Sequence, residues 1–204
     1  MNIIVSVAFR PVYLKHSTNQ LRYLEGFDTL YFHDELPMKD CIHTDNIVEE
    51  FQKSLYGFKP HAIQRAIDKG ATKVIWFDPS VLPTSSPKIL FDALDEYPVL
   101  VRNNDGYLDK MANKKAKDYF GITEDKAAKI KSTGGTIYGF NFNNPKAVEV
   151  FNTWKQAEED GIFGTQDAFM AGHWADEACL ALAMNKCGVE RNWVDFNYLN
   201  QKEL

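Results

Sequence analysis

Residues 73–80 read KVIWFDPS. An apolar run, Val74 to Phe77, passes straight into Asp78 and stops at Pro79, which has no amide proton to extend a ladder. A short continuous apolar stretch bounded by a turn signal fits a strand covered on both faces, as in a parallel sheet. Its neighbours support this. Upstream, Pro60 suits the first turn of a helix that carries Ile63 and Ile67 on one side and stops at Gly70. Downstream, Ser86 and Pro87 form a cap and first-turn pair for a helix through Glu96, after which YPVLVR, residues 97–102, returns as a strand. Helices alternating with strands predict an α/β fold with a mostly parallel central sheet flanked by helices.

The same alternation extends outward. Asn2 to Phe9 is rich in β-branched residues and predicts a first strand; Ser17 with Gln20 three positions later is a capping-box pattern, opening a helix that closes near Gly26. FDTLYFH, residues 27–33, is a second strand, and Thr44 or Asp45 caps a helix carrying Ile47, Val48, Phe51 and Leu55. Residues 103–132 are polar, lysine-rich and helical in propensity without a strong buried face, which predicts a helical insertion or lid. GGTIYGFNFN, residues 134–143, is a late strand; Asn144 and Pro145 open a helix with Ala147, Val148, Phe151 and Trp154 inward. After a loop over 162–172, HWADEACLALAMNKCG forms a helix that ends at Gly188, and a short strand is expected near Trp193 to Phe196. With no internal repeat or low-complexity linker, residues 1–204 read as one domain.

Composition narrows the function classes. The 204 residues include 45% hydrophobic and 25% charged residues, enough apolar material for a core, so disorder does not dominate. A formal net charge of -5 gives no general attraction to phosphate backbones or anionic lipid. The three cysteines, Cys41, Cys179 and Cys187, lack zinc-type spacing and fit buried thiols of a reducing compartment. The start, MNIIVSVAFRP, has no basic leader region and its apolar run is broken by Ser6, so it reads as a strand; no run approaches the roughly 20 residues of a membrane span. The expectation is a cytoplasmic protein.

A carboxylate at the end of the 73–77 strand has two readings. In open α/β sheets ligands bind beyond the carboxyl ends of the strands, and Asp78 there meets a ligand without being drawn through the core. Equally, Asp78 closes an Asx-turn over Pro79 and Ser80. The strand and the Asp alone leave both open.

The wider context carries a resemblance. YGFKPHAIQRAIDKGATKVIWFDPS, residues 56–80, resembles the segment of GT-A-type glycosyltransferases in which a helix preceded by a Lys-Pro pair leads into a strand ending in an acidic motif. STGGTIYGFNFNNPKAVEVFNTW, residues 132–154, is similar to that family's small-residue strand lining the donor sugar and the helix after it. AGHWADEACLALAMNKCG, residues 171–188, is similar to its His-x-x-Asp-Glu segment at the start of the next helix. In that family the acidic motif is usually Asp-x-Asp and holds a divalent cation, manganese or magnesium, that bridges the donor diphosphate. Here Asp78-Pro79-Ser80 keeps the first carboxylate and places a hydroxyl, a weaker cation ligand, at the third position.

The resemblance implies a set of roles. Asp78 and His173 would ligate the cation, with Ser80 assisting, and Asp176 would be the first choice of base for the acceptor hydroxyl in an inverting transfer, with Glu177 second. Lys59, Arg10 and His173 are the cations available to a leaving diphosphate. Backbone around Ala8 and Phe9 would read a base edge, and Gly134 and Gly135 would let the donor approach closely. Each role has a plainer counterpart. Asp176 and Glu177 complement the amides of a helix N-terminus, and Lys59 stabilises the surface at its helix start. Phe9 is core, Trp174 is either a sugar platform or packed under its loop, and the two glycines sit against a neighbouring strand. The implied function is transfer from a nucleoside-diphosphate sugar to an acceptor hydroxyl of a glycan, lipid-linked sugar, protein or modified DNA base. Two alternatives stand beside it: a non-catalytic sugar-nucleotide or glycan-binding domain of the same fold, and a nucleotidyltransferase, for which no glycine-rich phosphate loop is found.

Overall fold

The computed structural model describes residues 1–8, 11–33, 41–43 and 54–200. Phe9, Arg10 and most of the helix expected around Ile47 and Phe51 lie outside these residues. In chain order the strands are β1 (Asn2–Ala8), β2 (Thr29–His33), β3 (Cys41–His43), β4 (Lys73–Phe77), β5 (Val81–Pro83), β6 (Val99–Tyr107), β7 (Lys131–Asn141) and β8 (Tyr198–Asn200). The helices described are α1 (Pro11–Tyr23), α2 (Phe58–Asp68), α3 (Lys88–Ala93), α4 (Leu108–Met111), α5 (Lys114–Phe120), α6 (Glu124–Ala127), α7 (Pro145–Glu159), α8 (Gln166–Met170) and α9 (Ala175–Lys186).

Six strands form the central sheet in the order β3-β2-β1-β4-β7-β6, and β5 pairs with β8 in a separate ribbon. β1 runs parallel to β2 and β4, β2 runs parallel to β3, and β7 is antiparallel to both β4 and β6, so β7 alone is reversed among the strands of that sheet. The continuous apolar run of β4 follows from its central place. Val74 and Trp76 face one core layer with α2, α7 and α9, while Ile75 and Phe77 face the other with α3. All four are wholly buried, each burial stabilising by roughly 1.5–3 kcal/mol.

Several boundaries differ from expectation, each for a local reason. α1 starts at Pro11, so Ser17 lies inside it and donates back to the Tyr13 carbonyl at 2.7 Å instead of capping. Gln20, expected to complete that cap, is buried: its amide donates to the carbonyls of Asp78 (2.8 Å) and Val81 (2.7 Å), and its Oε1 accepts the Tyr31 hydroxyl (2.6 Å). β6 continues to Tyr107 because it is an edge strand whose outer half alternates exposed and half-buried positions, a pattern that polar residues satisfy. The helices that follow are not a loose cover, since Leu108, Ala112, Ala116, Phe120 and Ala127 all enter the main core. Asn113 and Thr123 cap α5 and α6 through their side chains. The last strand falls at Tyr198–Asn200, after the expected position, and Phe196 is instead a core residue stacked 5.8 Å from Phe77.

Candidate active site

β4 ends against the reversed strand β7, with Trp76 opposite Tyr138 and Phe77 opposite Ile137. The chain then turns at Asp78, whose amide donates to the Thr136 carbonyl at 2.8 Å. Asp78 Oδ1 accepts the Ser80 amide at 2.9 Å and the Ser80 hydroxyl at 2.5 Å, which is an Asx-turn. Ser80 is wholly buried by this arrangement, so its hydroxyl is spent on the turn. The carboxylate is half-buried, and no described group hydrogen-bonds to Oδ2.

Lys59, at the start of α2, brings the separate segments together. Its ammonium donates to Asp176 Oδ2 at 2.5 Å and to the Gly135 carbonyl at 2.9 Å, and lies 5.1–5.6 Å from the ring centres of Tyr56, Trp76 and Tyr138. Lys59 and Asp176 are each only 3% exposed. Burial works to depress the ammonium, but the fields of Asp176, Asp78 and Glu177 outweigh it and hold its pKa above the usual lysine value. Asp176 Oδ2 also accepts the Tyr138 hydroxyl at 2.7 Å, and the Asp176 carbonyl accepts the Trp154 indole N–H at 3.0 Å. Burial, followed by the Asp176 charge, pushes the Tyr138 phenol well up, so it stays a donor. Asp176 and Lys59 thus neutralise each other inside the core, and neither presents a charge to a ligand.

Glu177, the next residue of α9, is placed differently. Oε1 accepts the Gly135 amide at 2.8 Å and Oε2 accepts the Asn104 amide from β6 at 3.1 Å. Burial first, and then the neighbouring Asp176 charge, raise its pKa to about 7 against the opposing pull of Lys59, the Gly135 amide and Asn104. A carboxyl group poised near neutrality suits proton transfer. Sequence reasoning named Glu177 second and overlooked Asn104, because nothing in a polar edge strand marks which amide turns inward.

Gly135 explains itself here: a Cβ would stand 2.4 Å from Glu177 Oε1. The close approach is to this carboxylate, and at Gly134 it is to the Arg102 side chain, 3.3 Å away. Because the clash at Gly135 falls on the end of a flexible side chain, Gly135→Ala is expected to leave the melting temperature within a few degrees of the parent while displacing Glu177. The check is a thermal melt alongside turnover, with activity falling about as far as in Glu177→Gln.

His173 does not face this cluster as a free ligand. It is wholly buried, Nε2 lies 3.0 Å from the Ile162 carbonyl, and Nδ1 accepts the Asn113 amide at 3.4 Å. Burial keeps the ring neutral by lowering its pKa. Both nitrogens are committed to backbone, which fixes the turn before α9 and thereby the positions of Asp176 and Glu177. Trp174 beside it is 42% exposed. Ala8 is wholly buried at the end of β1. Among the described residues no group of three or more His, Cys, Asp or Glu side chains is placed to hold a metal ion. Of the two residues expected to ligate a cation, Asp78 keeps Oδ2 without a hydrogen bond from a described group, whereas both ring nitrogens of His173 are engaged.

No protein-family model and no curated protein matches the sequence. Solved structures do resemble the fold. Mouse xyloside xylosyltransferase 1 aligns over 96% of this chain and 86% of its own at 12% identity with a TM-score of 0.56. The bifunctional glycosyltransferase WbbM aligns over 94% of this chain and 38% of its own at 10% identity and TM-score 0.54. The galactosyltransferase LgtC, solved with donor and acceptor sugar analogues, aligns over 89% and 70% at 11% identity and TM-score 0.50. At such identities the likeness speaks of architecture, and together with the sheet order it establishes that this chain has a GT-A-like glycosyltransferase fold.

Proposed function

We propose that the chain transfers a sugar from a nucleoside-diphosphate sugar to an acceptor hydroxyl, with Glu177 as the reacting carboxylate. The observation that carries this reading is the convergence, around the buried Lys59–Asp176 pair, of Asp78 at the end of a central strand and Glu177 with a pKa of about 7. Ligands of α/β sheets gather at that end. The GT-A-like fold and the sugar analogues bound by LgtC support the same substrate class.

In the transfer, Glu177 accepts the proton of the incoming hydroxyl as its oxygen bonds to the anomeric carbon. The bond to the diphosphate breaks, and the diphosphate departs with the electron pair. Gly135 and Asn104 hold the two oxygens of Glu177 in place for this. Asp78 Oδ2 would hold a divalent cation, which when bound supplies positive charge to the leaving diphosphate. Arg102, fixed by Thr136 Oγ1 at 3.3 Å, is a further cation near the Asp78 turn. In this reading Lys59 and Asp176 are positioning residues.

A thermal-shift panel of nucleotide-sugars with and without manganese tests the binding half. One donor is expected to raise the melting temperature, more so with manganese, and Asp78→Ala is expected to remove the manganese-dependent part. Stabilisation by nucleoside triphosphates alone would contradict the proposal.

A further inference from the structure

Outside this site, a cavity of about 640 Å3 opens between the end of β6, the start of β7 and the carboxyl end of α9. Three cations, Lys129, Lys131 and Arg191, line it against one carboxylate, Glu190, on a chain whose formal net charge is -5. The concentration of positive charge is therefore local, and it favours an anion. Arg191 is fixed by donating to the Ser132 carbonyl at 2.8 Å, and the Lys131 ammonium stands 5.8 Å from the centre of the Tyr107 ring, itself 40% exposed. Asn185 adds a separate signal. Asn185 is one of the cavity's lining residues, and its Oδ1 is buried with no hydrogen-bond partner among the described residues. A buried acceptor without a partner is costly, which sets this side chain apart from an ordinary surface asparagine.

Cations for a charged group, the Asn185 side-chain amide for a hydroxyl and a half-exposed aromatic ring for a sugar face describe one ligand chemistry. We infer that this groove binds an acidic saccharide, a sugar bearing a carboxylate or phosphate. Its position suggests the use. Ala181 in the groove wall lies four residues beyond Glu177 on α9, about 6 Å along the axis, on the same face. Thr133 ties β7 to the Glu177 carbonyl at 2.9 Å, two residues from Lys131. The groove would hold the portion of an acceptor that extends away from the reacting hydroxyl; that use rests on the transfer reading, whereas the binding does not.

The test is calorimetric titration of the full chain with a short glucuronate-containing oligosaccharide, its neutral glucose counterpart and inorganic phosphate, with donor hydrolysis measured in parallel. The acidic oligosaccharide is expected to bind more tightly than the neutral one by about tenfold or more, and to weaken as ionic strength rises. The double variant Lys129→Ser with Lys131→Ser is expected to lose that preference while hydrolysing donor at the parent rate. Equal binding of acidic and neutral ligands, or an unchanged preference in the double variant, overturns the inference. So does phosphate binding as tightly as the acidic saccharide. Acidic-ligand binding without donor turnover supports the groove while removing the transfer reading; donor turnover without the preference does the reverse. Should the variant fold poorly, the salt dependence of the parent chain decides.

Discussion

Asp176→Asn is expected to lower the unfolding free energy by about 3–5 kcal/mol, read as a reduced midpoint in urea at unchanged slope. The reason is the charge it leaves behind. Lys59 is 3% exposed and enclosed by three aromatic rings, so its ammonium has no route to water once the carboxylate is gone. Adding Lys59→Met to Asp176→Asn is expected to recover most of the loss, because both charges then disappear and the asparagine oxygen still accepts the Tyr138 hydroxyl. A single variant no less stable than the parent would mean that the pair is not neutralised inside the core.

Glu177→Gln has the opposite sign for stability and the largest effect on chemistry. The folded-state pKa of Glu177, about 7, lies above its ordinary value of 4.5, so between those pH values the folded chain binds more protons than the unfolded one. Stability therefore falls as pH rises through that window, and holding the charge at pH 8 costs roughly 3 kcal/mol, from 1.36 kcal/mol per pKa unit. The glutamine variant avoids this cost: it is expected to be more stable than the parent at pH 8, with the gain vanishing by about pH 4.5. Gln can still accept the Gly135 amide, and the Asn104 amide can turn to accept from it. Turnover is expected to fall by about 10²–10⁴-fold, and the rise in the parent's rate as pH passes about 7 is expected to disappear. Paired pH–stability and pH–rate profiles of the two proteins check both parts. A carboxylate that costs stability where it stands is typical of a site residue.

These effects show where sequence was informative. The strand at 73–77 was legible because a central strand covered on both faces must be apolar on both, and that one fact orders its neighbours. The turn at Asp78 was legible as either an Asx-turn or a site, and the structure makes it an Asx-turn with one oxygen to spare. The Asp176–Glu177 pair was legible as acidic residues at a helix start. Their different surroundings were not, because these depend on Lys59 arriving from a residue 117 positions away and on Gly135 approaching from β7. Gln20 was misassigned for a similar reason: a Ser-x-x-Gln pattern at a helix start and the same pattern inside a helix are identical until the first turn is located. His173 matched a family pattern, yet its ring nitrogens serve the backbone, which residue type alone does not reveal.

Sugar transfer at Glu177 is tested most directly by incubating the parent chain and Glu177→Gln with a panel of nucleotide-sugars and manganese, and measuring the release of nucleoside diphosphate. The predicted result is release from one donor by the parent, increased by an acceptor and reduced by about 10² or more in the variant. Release at equal rates from parent and variant, or from no donor while a nucleotide-sugar still binds, would contradict it.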